Sequence, residues 1–185
     1  IAGVVLLGAG YLASTQLKIG DLDPGAPELR ADSRYNRDNA YITANYSLSS
    51  DTFAVIIKTA KEGCLQYQTL VEADRLAWSL QQVPGVQTTV SLANAVRQIT
   101  AGSYEGSPKW RVLSRNQSVL TQSVTYVPTS TGLLNSDCSV MPVMLFTEDH
   151  KAATIERIVA AVKKYEAAKS NPDVSFKLAT GNVGV

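Results

Sequence analysis

Two cysteines, a single histidine and a few clustered carboxylates are the residues of this 185-residue chain whose types could carry covalent or acid–base chemistry. Cys64, Cys138 and His150 make no metal-ligand set at their spacings, so no metal centre is assigned. No glycine-rich phosphate cradle of the G-x-x-x-x-G-K-[ST] or G-x-G-x-x-G type is present, and no nucleotide cofactor is expected. No G-x-S-x-G nucleophile elbow is present either. His150 stands beside the expected start of a helix without an evident nucleophile to activate, and reads as a solvated residue. Asp137, Glu148 and Asp149 flank an expected strand. Paired carboxylates can share acid and base roles, but helix capping accounts better for these. The chain is therefore expected not to be an enzyme, and no catalytic residue is assigned.

What remains is the chemistry of contact. Trp110 lies between Lys109 and Arg111 in a stretch broken by Gly102, Gly106 and Pro108. An indole flanked by cations in a loop suits an exposed anchor; a buried lid residue is the competing reading. Tyr104, Lys109, Trp110 and Arg111 together form the candidate docking or gating surface. Trp78, inside a helical pattern, is expected to pack in the core.

These residues must be positioned by elements that the pattern lays out. Ser33 caps an expected helix over 34–46. Residues 52–60 (TFAVIIKTA) read as a strand. Leu70, Ala73, Leu76, Ala77, Leu80 and Val83 recur at helical steps over 68–82, and Pro84-Gly85 ends that run. Residues 86–90 read as a second strand. The grammar then repeats: a strand over 140–147, with Pro142 arguing for an edge or a bulge, a helix over about 149–169 capped by Asp149, and a strand over 174–179. Two β-α-β units flanking an insertion at about 91–137 imply an α+β, ferredoxin-like split β-α-β sandwich. The insertion carries short helices at 91–99 and 116–125 and is long enough to be functional. Deleting 102–135 is expected to leave a folded core.

In such a sheet the first and third strands are central, adjacent and antiparallel, so Cys64 and Cys138 fall at one sheet edge. A disulfide is then geometrically reasonable and implies an oxidising compartment; two buried free thiols are the alternative.

The chain is 45% hydrophobic and 18% charged, with 17 Lys+Arg against 16 Asp+Glu. That excludes wholesale disorder and gives no electrostatic footprint for nucleic acid. A mean hydropathy of −0.02 hides an uneven start, since no charge appears before Lys18. Residues 1–16 read as the end of a first transmembrane helix, with a signal-peptide remnant and a buried core helix as alternatives. Residues 17–31, rich in Pro, Gly and acids, read as a linker, leaving 17–185 as a water-facing domain.

Several stretches carry a family resemblance in a fixed order: 20–29 (GDLDPGAPEL), 33–36 (SRYN), 72–78 (EADRLAW), 101–110 (AGSYEGSPKW), 134–142 (LNSDCSVMP) and 179–182 (ATGN). They resemble the first periplasmic, porter domain of resistance-nodulation-division exporters of the MMPL-type branch. The resemblance implies a periplasmic domain of a proton-driven bacterial inner-membrane exporter of hydrophobic or lipid-like substrates. It also implies the partners: the second porter domain and transmembrane bundle of the same transporter, the substrate, a periplasmic accessory protein and a homo-oligomer. The proton-relay carboxylates of that family lie in membrane helices outside this chain. A secreted or membrane-anchored periplasmic binding module without transport activity is the alternative function.

Overall fold

The structure, a computed structural model, describes residues 2–14, 26, 28–46, 49, 51–169 and 171–180. In chain order the elements are α1 (Ala2–Ser14), α2 (Arg34–Asn45), β1 (Thr52–Lys58), α3 (Tyr67–Gln81), β2 (Val86–Ser91), α4 (Leu92–Gly102), α5 (Gln117–Thr125), β3 (Val140–Thr147), α6 (Ala152–Ala168) and β4 (Ser175–Thr180). The linker expected over 17–31 lies largely outside the described residues.

The β-branched and aromatic runs pair into one four-stranded sheet of order β2-β3-β1-β4, antiparallel throughout. This is the α+β, split β-α-β arrangement. Side chains alternate across a strand. Phe53, Val55 and Ile57 of β1 and Met141, Val143 and Leu145 of β3 therefore share one face, and none is more than 2% exposed. Onto that face pack Leu70, Leu76 and Leu80 of α3 and Ile158 and Val162 of α6. The other face carries Ala54 and Ile56 of β1 beside Pro142, Met144 and Phe146 of β3, all half-buried. Among the described residues, no helix packs on that face as α3, α4 and α6 do on the first.

Three expectations need correction. β3 is an interior strand, not an edge. Pro142 is tolerated because β2 ends at Ser91, opposite Val143. The bonds Thr59 N–H to Ser139 O and Thr147 N–H to Asp51 O set an alternation that leaves Pro142 opposite Ile56 on a non-bonded pair. Its missing N–H thus faces past the end of β2 and breaks no ladder bond. Asp149 is not the cap of α6. Lys151 holds that position without a side-chain bond, and Asp149 Oδ1 instead accepts from Lys151 N–H at 3.2 Å and Thr154 Oγ1 at 2.7 Å. The insertion is not separable from the core. Leu120 and Val124 of α5, with Val127 and Leu133, join the same buried cluster as the sheet.

The sheet has two distinct poles. Thr52, Val86, Thr147 and Thr180 lie at one. Lys58, Ser91, Val140 and Ser175 lie at the other, and the insertion leaves and returns there. α2 sits at the first pole, where Gln87 Nε2 donates to Thr43 O at 2.9 Å. Its start is as expected, with Ser33 Oγ accepting from Asn36 N–H at 3.2 Å, yet it buries no residue. α1 is a helix of 13 residues without a charge. Val5, Leu6, Leu7, Tyr11 and Leu12 stand between 64% and 77% exposed along it. No described helix is long and apolar enough to cross a membrane.

Candidate functional site

The candidate surface is built by the way α4 ends. Ser91 caps the helix, and Leu92, Ala93 and Val96 turn into the core. Beyond Gly102 the chain reverses through Glu105 and Gly106, both left-handed at φ 60° and 74°. Gly106 N–H closes the reversal on Ala101 O at 2.8 Å. Glycine at the second position avoids the Cβ penalty of that conformation. A short 3-10 turn over Pro108–Trp110 follows.

This reversal lays Trp110 back on Tyr104. Their ring centroids are 4.4 Å apart with planes 19° from parallel, an offset-stacking distance. Tyr104 is 38% and Trp110 39% exposed, so the stack is a surface feature rather than a buried lid. Lys109 Nζ stands 5.6 Å from the Trp110 centroid, within cation–π range. Arg111 is exposed beside them, as is Val112. The structure therefore brings together Tyr104, Lys109 and Trp110 and places Arg111 alongside.

Sequence reading missed a second cation–aromatic pair. Arg115 lies 5.7 Å from the Tyr67 ring centroid, and the neighbouring Gln117 Nε2 donates to Leu65 O at 2.8 Å. No local spacing announces this pair. Tyr67 follows Cys64 and Arg115 belongs to the insertion, so only the long-range fold joins them. Glu105 is the one acidic residue between Gly102 and Asn116, against Lys109, Arg111 and Arg115. The surface is thus aromatic and basic, and suits contact with a partner that offers carboxylates around an apolar patch.

Cys64 and Cys138 form the disulfide, with Cα atoms 5.3 Å apart. The backbone supports it: Cys64 N–H donates to Cys138 O and Glu62 N–H to Asp137 O, both at 3.0 Å. The bridge closes the base of the insertion at the sheet pole from which it projects.

Two further residues differ from their sequence readings. Trp78 is 68% exposed rather than core. It falls between the core positions Ala77 and Leu80, but a 3.6-residue period turns it away from their stripe. It lines a groove with Arg75, Gln81 and the ion pair of Arg97 with Asp74, whose N–O distance is 3.0 Å. His150 is not solvated: its Nδ1 is 3.3 Å from Asp51 Oδ1, with the two side chains 12% and 13% exposed. Ser49 lies near in sequence, but its Oγ is held by the carbonyls of Asp51 and Thr147. A hydroxyl occupied in this way is not arranged as a nucleophile on His150.

No family model matches the chain, and no curated protein matches it.

Proposed function

We propose that this chain is a periplasmic, porter-type domain of a proton-driven inner-membrane exporter of the resistance-nodulation-division superfamily, MMPL-type branch, and that it forms part of the path of a hydrophobic or lipid-like substrate. The observation that carries the reading is α1, a charge-free helix on which Val5, Leu6, Leu7, Tyr11 and Leu12 are exposed. Such a surface is stable only against apolar material. The disulfide supports an oxidising compartment. The sheet face on which no described helix packs carries Ile56, Met144 and Phe146, with Lys177 opposite Ile56, and its apolar part supports a wall of the kind such a path requires. The aromatic and basic insertion, at the pole opposite α2, is then the surface for the second porter domain or an accessory protein.

Fractionation of the native bacterium tests this, with free thiols blocked before lysis. The protein should resist alkaline carbonate extraction from the inner membrane, carry the 64–138 bridge, and on deletion of its gene cause intracellular retention of a hydrophobic dye. Recovery as a free soluble protein overturns the reading. Membrane retention without any change in dye efflux supports the anchored binding module instead.

A further inference from the structure

We propose that the cavity between α2 and the start of β2 binds a ligand through an amide group, with Gln87 as the recognising side chain. The inference is independent of the exporter reading. The cavity measures about 850 Å³, and its lining includes Ala40, Thr43, Ala44, Tyr46, Val86 and Gln87. That volume lies within the range of small-molecule sites.

Gln87 is the member that asks for a partner. The pairing of β2 with β3 slips at this residue: Val86 stands opposite Thr147 and Thr88 opposite Phe146, so Gln87 is the extra residue of a bulge. A bulge re-aims a side chain. Here the amide turns toward α2, where Nε2 donates to Thr43 O at 2.9 Å. A carbonyl can only accept, so the nitrogen is the atom that faces it. Oε1 is then left over. It is buried without a hydrogen-bond partner, the one side-chain atom in that state among the described residues. A buried acceptor without a donor is costly, and folded proteins rarely keep one without a reason. α2 does not supply the donor. It buries no residue, so it can lift to admit one.

What donates to Oε1 follows from Gln87 itself. The amide is neutral, and a charge taken out of water needs a partner ion, so the matching group is neutral too. Nε2 carries two N–H groups, and Thr43 takes one. Oε1 and the second N–H belong to one planar group, which is met by a group offering its own N–H and C=O together. A small primary carboxamide does this. So does an extended peptide, in which the N–H and C=O of one residue point to the same side. An anion would in addition meet Glu148 of the lining. Ala40, Ala44, Val86 and the ring of Tyr46 are left for an apolar body beside the amide.

Titration of the whole 185-residue chain with benzamide, followed by proton–nitrogen NMR, tests the assignment. Saturable shifts should appear at the Gln87 side-chain amide and at the main-chain amides of Thr43 and Ala44. Acetophenone, which has a methyl in place of the amide nitrogen, and benzoate should bind about tenfold more weakly or worse. Gln87→Leu should lower benzamide affinity by about tenfold or more. The acetophenone comparison uses the unmutated chain, so it decides the matter even if the variant fails to fold. N-acetyl-alanine N-methylamide is the second probe: tighter binding than benzamide assigns the site to a peptide, weaker binding to a small carboxamide. The proposal is overturned if neither amide gives saturable shifts, which leaves Oε1 to a buried water. It is equally overturned if acetophenone binds as well as benzamide, or if folded Gln87→Leu keeps full affinity.

Discussion

Asp137 and Ser139 hold the turn that leads from the disulfide into β3, the Ser139 hydroxyl donating to Asp137 Oδ1 at 2.7 Å. That bond is the main reason the Asp137 carboxyl sits below its ordinary value of 3.8. The folded state therefore favours the ionised form. Its contribution is complete above the ordinary carboxylate range and is lost as pH falls through the lowered folded value. Carbon NMR of the Asp137 carboxyl should give a midpoint below 3.8, and Ser139→Ala should raise it. On α3, Leu76 and Trp78 separate size from burial. Leu76 is 0% exposed and Trp78 68%. Leu76→Ala should lose about 2–5 kcal/mol in urea unfolding, while the larger deletion Trp78→Ala should stay within about 0.5 kcal/mol. An equal loss at both positions would contradict the placement of Trp78. Periodicity already separates these residues, since Trp78 lies off the 70/73/76/77/80 stripe. Reading Trp78 by its type rather than its angle gave the wrong expectation.

The insertion behaves as part of the helical layer. Leu120 is 0% and Val124 2% exposed, and the buried Thr100 and Ser123 hydroxyls meet at 3.1 Å between α4 and α5. Removing residues 102–135 would strip α5 from the cluster and leave the buried Thr100 hydroxyl of α4 without Ser123. Such a deletion should abolish cooperative urea unfolding, and a sharp, unshifted transition would return the insertion to the status of an appendage. The strands and long helices were legible because one buried face imposes a period of two or 3.6 residues on the sequence. The cap at Ser33 was legible for a local reason, a side-chain oxygen serving an N–H three residues on. The insertion's place in the core was not, because α5 has only nine residues and its partners lie far away in sequence. The same holds for Arg115 over Tyr67, and for His150 with Asp51. At the candidate surface, Lys109 and Trp110 were visible as neighbours in sequence, but the stacking on Tyr104 depends on the left-handed reversal at Glu105 and Gly106.

For the molecule as a whole, the disulfide joins the end of β1 to the start of β3 and closes a loop of 74 residues that contains α3, β2, α4 and α5. Replacing both cysteines with serine should cost about 2–5 kcal/mol, read as a lower urea midpoint. Thiol counting on the unreduced protein should find none free; two free thiols would remove the bridge and with it the argument for an oxidising compartment. The poles of the sheet have a mechanical consequence. The chain comes into β1 at Thr52 and leaves β4 at Thr180, and Phe53 is paired directly with Thr180. A pull that separates these two points acts across the β1–β4 ladder at its very end. It would peel the hydrogen bonds apart one after another, as a zip opens, rather than load them together in shear. The domain can thus be carried as a rigid body when both attachment points move together. It yields at low force when they are drawn apart, with the bridged pole and its insertion the last part to feel the strain.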